Sequence, residues 1–81
     1  MSIIKLYFLE KMLKVEVGNR LKECRLALKM SQREVASRLG VAQPVYQRFE
    51  KGIFECNYDQ LSKLCEIYDV SLDYLFGKKD Y

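Results

Sequence analysis

Histidine is absent from this chain of 81 residues, proline occurs once and glycine four times. Without histidine, no side chain titrates near neutral pH at its ordinary value, which removes the commonest general base and a common zinc ligand. The three cysteines, Cys24, Cys56 and Cys65, are odd in number and widely spaced. That pattern fits neither a disulfide framework nor a usual zinc site, and Cys24 and Cys65 fall on apolar faces of expected helices, where a thiol packs as a small hydrophobe. No apolar run approaches the ~20 residues of a membrane span. No Gly-rich phosphate loop follows a strand, and no nucleophile–base pair stands out. These absences exclude the common catalytic classes: the reading is of a protein that is not an enzyme, with no metal, no cofactor and no evident small-molecule substrate.

What is present suits one globular helical domain. Hydrophobic residues make up 49% of the chain, too many for a disordered segment. Ser2 to Val15 is rich in apolar residues (Ile3, Ile4, Leu6, Tyr7, Phe8, Leu9, Met12, Leu13), but Lys5, Glu10 and Lys11 interrupt it and no small-residue cleavage site follows. It therefore does not read as a signal peptide, and a cytoplasmic location is expected.

Net charge is only +3, but its distribution is uneven. Residues 17–51 carry eight Lys/Arg against three Glu, and residues 52–77 carry one Lys against five Asp/Glu. One end of a small domain so divided attracts a polyanion and the other repels it. The basic half is the place to look for nucleic acid.

Hydrophobic spacing predicts an all-α, compact five-helix bundle. The first helix is expected over about Val17 to Leu28, with Val17, Leu21, Cys24 and Leu28 as one apolar stripe. Ser31 and Glu34 form a capping box for a second helix, about Gln32 to Leu39, which packs through Val35, Ala36 and Leu39 and which Gly40 terminates. A third is expected over about Gln43 to Lys51, with Pro44 in its first turn and Val45, Tyr46 and Phe49 on its buried side. A fourth spans about Tyr58 to Tyr68. A short fifth follows the cap Ser71, with Asp69 and Asp73 flanking that cap and favouring the helix start. Residues 1–15 form an N-terminal extension that reads equally as a strand over Ile3 to Leu9, rich in β-branched and aromatic residues, or as an amphipathic helix over 3–13. Its apolar residues have no place in a five-helix core, which makes it a candidate packing or dimerisation element. The domain proper is 16–77, with a polar tail at 78–81.

The run from Ser31 to Gly52, SQREVASRLGVAQPVYQRFEKG, reads as helix, glycine-centred turn, helix. In it, Ser31-Gln32, Val35-Ala36, Gly40-Val41, Tyr46, Phe49, Glu50 and Gly52 are spaced as in the Cro and phage-repressor (XRE-type) family of helix-turn-helix DNA-binding domains. The resemblance extends from about Val17 to Gly77 and includes DVSLDYLFG at 69–77.

The physical basis is independent of the likeness. A major groove accepts one helix, and each base pair presents a distinct donor and acceptor pattern there. Gln43, Gln47 and Arg48 are polar groups suited to project outward from such a helix, and Pro44 can touch a thymine methyl or a sugar. The resemblance implies that Gln32, at the start of the preceding helix, grips the DNA backbone, where helix N-termini favour phosphate. Arg20, Arg33, Arg38 and Lys51 are further candidates for backbone contacts. It also implies a partly buried ion pair between Arg25 and Glu50 that fixes the third helix against the first. The expected partners are double-stranded DNA and a second copy of the chain, since one domain reads only a few base pairs and two copies read a near-palindrome. The expected role is a small transcriptional regulator, a repressor. The competing reading is an antitoxin-like or regulatory protein-interaction module that uses the same fold.

Three residues depart from the family pattern. Ala42 replaces the customary hydroxyl cap of the recognition helix, which weakens its start by about 1 kcal/mol. Pro44 replaces a polar groove-facing residue and cannot donate a hydrogen bond. Tyr46 takes a position usually held by a branched aliphatic residue, so its hydroxyl needs a partner or an exit to water.

Overall fold

The computed structural model of the chain describes residues 2–53 and 56–78. The side chain of Phe8, and residues 79–81 of the expected polar tail, lie outside the described residues. Five helices follow in order: α1 (Ile3–Ala27), α2 (Gln32–Leu39), α3 (Gln43–Glu50), α4 (Tyr58–Tyr68) and α5 (Leu72–Leu75), with no strand among the described residues. None of them is long and apolar enough to cross a membrane.

Helix α1 is the longest element and starts well before Val17. Ser2 caps it by accepting from the Lys5 backbone NH, and neither glycine nor proline interrupts the chain before Gly18. The 25 residues span about 37 Å at the rise of an α-helix. Only its C-terminal half enters the core, through Val17 and Leu21, with Cys24 packed at the margin. Leu28, expected to continue that stripe, instead forms the C-cap and is 50% exposed. The chain then reverses through Lys29 in the left-handed conformation, and the Met30 NH bonds back to the Arg25 carbonyl at 3.1 Å.

The remaining helices begin on side-chain caps, apart from α3. Ser31 and Glu34 form the capping box of α2. Asn57 and Gln60 form an equivalent box on α4, and Ser71 caps α5 through the Tyr74 NH. Ala42 offers α3 no side-chain cap. Asp73 stands in the first turn of α5, but Asp69 takes a different part from that expected: it is the left-handed C-cap of α4.

The core collects Val35, Ala36 and Leu39 of α2, Tyr46 and Phe49 of α3, Leu64 and Tyr68 of α4, and Leu75 of α5 around Val17, Leu21 and Met30. Cys56 and Cys65 pack against its edge, and burial pushes the Cys56 thiol up to about 12. Among the described residues, no group of His, Cys, Asp and Glu is placed to hold a metal ion.

Candidate nucleic-acid interface

Helices α2 and α3 are joined by residues 40–42 alone. Gly40 adopts φ 80° with its NH on the Ala36 carbonyl at 2.9 Å, and the Val41 NH reaches the same carbonyl at 3.0 Å. Glycine reaches this left-handed conformation without a Cβ clash, so the reversal costs little. Val41 then packs on the core, which fixes the angle at which α3 leaves.

Three contacts seat α3. The first is with α1 at Gly18, where a Cβ would lie only 2.6 Å from the Glu50 carbonyl oxygen and 2.7 Å from that of Phe49. The absence of a side chain at this buried point lets α1 cross directly over the last turn of α3. The second contact is between aromatic groups: the Tyr46 and Phe49 rings meet edge to face, centroids 6.3 Å apart. The buried Tyr46 hydroxyl bonds the Tyr68 hydroxyl of α4, so the departure at Tyr46 is answered inside the core rather than by water.

The third contact is ionic. Glu50 is buried and accepts from Arg25 Nε at 2.7 Å and from Arg25 Nη2 at 3.1 Å. Arg25 Nη1 also donates to the Met30 carbonyl at 3.1 Å, tying the guanidinium to the turn before α2. Burial pushes the Glu50 carboxyl up, but hydrogen bonds from Arg25, Tyr46 and Gln32 outweigh it and hold the group below the ordinary carboxylate range. The Arg25 guanidinium is raised, first by its bond to Glu50.

The same carboxylate organises the outer surface. Gln32 Nε2 donates to Glu50 Oε1 at 3.1 Å, and Gln43 Nε2 donates to Gln32 Oε1 at 2.8 Å. Gln32 and Gln43 are the first residues of α2 and α3, so the two helix starts are linked side chain to side chain. An unbroken polar chain thus runs from Arg25 through Glu50 and Gln32 to Gln43. Sequence spacing alone does not join these four; the signal it offers is a glutamine at the first position of both helices.

The other expected residues divide clearly. Pro44 and Arg48 are exposed on the outer face of α3, Gln47 is half-buried, and Lys51 is the exposed C-cap. Val45, expected on the buried side, is 37% exposed and belongs to the outer face. Arg33 and Arg38 are exposed on α2. Arg20 stands apart: it donates to Glu16 at 3.3 Å and lies 5.0 Å over the Tyr74 ring, next to α5.

A helix-turn-helix family model matches residues 21–75. The chain is similar to an uncharacterized HTH-type transcriptional regulator YqaE of Bacillus subtilis, 44% identical over 72% of this chain and 50% of the relative. It is 35% identical to the HTH-type transcriptional regulator ImmR of the same organism, over 82% of this chain and 52% of that one. A prophage-derived HTH-type regulator of B. subtilis, YonR, is 40% identical over 72% of this chain and 54% of its own length. The chain spans about half the length of these curated relatives.

Proposed function

The chain belongs to the helix-turn-helix family of the Cro and phage-repressor (XRE) type, a family of DNA-binding transcription regulators, and from that premise we propose that it binds a specific site on double-stranded DNA. It acts by binding, not by catalysis. Helix α3 lies in the major groove, with Gln43, Pro44, Gln47 and Arg48 toward base edges; glutamine suits adenine and arginine suits guanine. Gln32, Arg33, Arg38 and Lys51 hold the phosphate backbone and set the register. Arg20 is left out of that set because Glu16 and Tyr74 already engage it. Arg25 and Glu50 are the structural pair behind the site.

The observation that carries this reading is the two-sided character of α3. Its inner face is locked by Tyr46, Phe49 and Glu50, while Pro44, Val45 and Arg48 stand exposed on the other. A groove-reading helix needs that combination, since base contacts discriminate only when the helix is held at a fixed tilt. Two copies on a near-palindrome, with half-sites one helical turn apart, give a repressor that occupies its site by affinity alone.

Selection from a random duplex pool tests it. Recovery of a defined, twofold-symmetric site whose affinity falls steeply with salt is the expected result, because neutralised phosphates release counterions. Failure to retain any duplex at low salt would defeat the reading. That failure would favour the protein-interaction module, for which the exposed apolar residues of the first half of α1 speak.

A further inference from the structure

The N-terminal half of α1 is apolar on more than one side and yet unburied. Between Ile3 and Val15, eight large apolar residues are at least two-fifths exposed, Ile3 at 86% and Met12 at 66% among them. A helix apolar all round is ordinarily enclosed by other structure. Exposed apolar residues clustered in this way, rather than scattered singly, mark an interaction surface.

One stripe of this helix complements itself. Lys5, Leu9, Met12 and Glu16 recur at intervals of four, three and four, which holds them within about 60° of one another on a helix. The stripe is turned well away from Val17 and Leu21, the residues α1 gives to the core. Read in the opposite direction it shows the reverse order of charge, with two apolar residues at its centre. Ile4 and Val15 border it on one side, Leu6 and Leu13 on the other, all exposed. Glu16 lies against Gly77 and gives Oε1 to Arg20 at 3.3 Å, and with 47% of its side chain in solvent it can face a second cation.

We propose that two copies of this chain join through the first half of α1, packed antiparallel along the stripe of Lys5, Leu9, Met12 and Glu16. This deepens the functional reading, because it supplies the interface that a paired site on DNA requires. Leu9 of each copy meets Met12 of the other about a twofold axis. Lys5 of each lies opposite Glu16 of the other at the ends, and the bordering residues close over the centre. The two Gly18 positions, where α1 crosses α3, then stand about 22 Å apart along the helices. That spaces the two α3 helices by tens of ångströms, the scale of one duplex turn of ~34 Å.

Sedimentation equilibrium of the full chain without DNA decides it. The expected result is a dimer at micromolar concentration that Leu9→Glu with Met12→Glu converts to a monomer of unchanged circular dichroism, since both residues are exposed. Lys5→Glu, which sets like charge against Glu16 of the other copy at both ends, should raise the dimer dissociation constant about tenfold at low salt and less at high salt. A monomeric wild type, an unaltered Leu9→Glu/Met12→Glu dimer, or a Lys5→Glu dimer as tight as wild type at low salt would each overturn the proposal. So would capture of a monomeric wild type by phosphatidylserine vesicles, which would assign the face to lipid. Failure here is distinct from failure of the DNA reading: a monomer that still selects a half-site removes only the interface, and a dimer that selects no duplex removes only the DNA.

Discussion

Gln43 and Gln32 are bonded to each other across the turn, with Gln43 Nε2 donating to Gln32 Oε1 at 2.8 Å while Gln32 Nε2 is held by Glu50 at 3.1 Å. The amide of Gln32 is thereby oriented at both ends. Gln43 is left with its carbonyl oxygen and one amide hydrogen, the acceptor and donor that adenine requires of a glutamine.

Gln32→Ala is therefore expected to do more than remove a backbone contact. A residue that only touched phosphate would weaken all sites alike. Loss of the Gln32 amide also frees Gln43 to turn, so preference at the base pair under Gln43 should fall by about 1–3 kcal/mol. Anisotropy titrations on the selected duplex and its single-base variants check this. A uniform loss across all variants would show that the two glutamines act independently.

The Arg25–Glu50 pair should dominate mutational sensitivity at the α1–α3 junction. Arg25→Ala or Glu50→Ala leaves a buried charge unpaired, which costs about 3–5 kcal/mol. The carboxyl of Glu50 lies below its ordinary value, so the folded state binds fewer protons than the unfolded state as pH falls through that range. Its stabilising contribution is thus complete above about pH 4.3, the unperturbed value, and is lost as the pH falls through the lowered one. Glu50→Gln should flatten this acid limb of a melting-temperature profile. An acid limb identical to wild type would assign it to other carboxylates.

Gly18 tests close packing at the same junction. Alanine is the better helix former by about 1 kcal/mol, so a Gly18→Ala change on an open helix face would stabilise. Here the added methyl meets the Glu50 and Phe49 carbonyls at 2.6 and 2.7 Å, both of them backbone atoms. Overpacking of this kind costs about 1–3 kcal/mol and should outweigh the propensity gain. Urea unfolding gives the sign directly. A more stable variant would mean that α1 and α3 separate without penalty.

The parts of this fold legible in the sequence are those encoded locally. Ser31 with Glu34, Gly40, Ser71 and the apolar spacing of Leu61, Leu64, Cys65 and Tyr68 each act within a turn or two of helix, and α2 to α4 fall close to where these signals place them. The sequence leaves residues 3–13 open between a strand and a helix, because their apolar residues surround the helix that forms and give no single period to read. Leu28 fits the period of its stripe, but the helix ends at Ala27 and the chain reverses directly after Leu28, at Lys29, which no glycine marks. Val45 shares its hydrophobicity with Tyr46, and only the seating of α3 decides which of the two points inward. The groups that hold the site lie 18, 22 and 25 residues apart along the chain, as Gln32–Glu50, Tyr46–Tyr68 and Arg25–Glu50. Such pairs follow from the packing of helices, which spacing alone does not give. For the Arg25–Glu50 pairing, the family likeness supplies what spacing does not.

The Tyr46–Tyr68 hydroxyl pair should control the alkaline limb of stability and also reach the acid one. Burial pushes the Tyr68 hydroxyl up to about 12, and burial with the Tyr68 bond raises Tyr46 further. Both groups stay protonated in the folded state where an unfolded tyrosine, near pH 10, ionises. Their contribution is therefore complete below about pH 10 and is lost as the pH climbs toward the raised values. Tyr46→Phe leaves the Tyr68 hydroxyl buried without its partner, at a cost of about 1–3 kcal/mol. It also takes one donor from Glu50, whose carboxyl should titrate higher, so the acid limb should begin at higher pH than in wild type. Removing both hydroxyls, in Tyr46→Phe with Tyr68→Phe, should recover much of the stability at neutral pH while leaving the acid limb displaced, because Glu50 still lacks its donor. Guanidinium unfolding across pH separates the two effects. A double variant no more stable than Tyr46→Phe would show that the hydroxyls do not depend on one another.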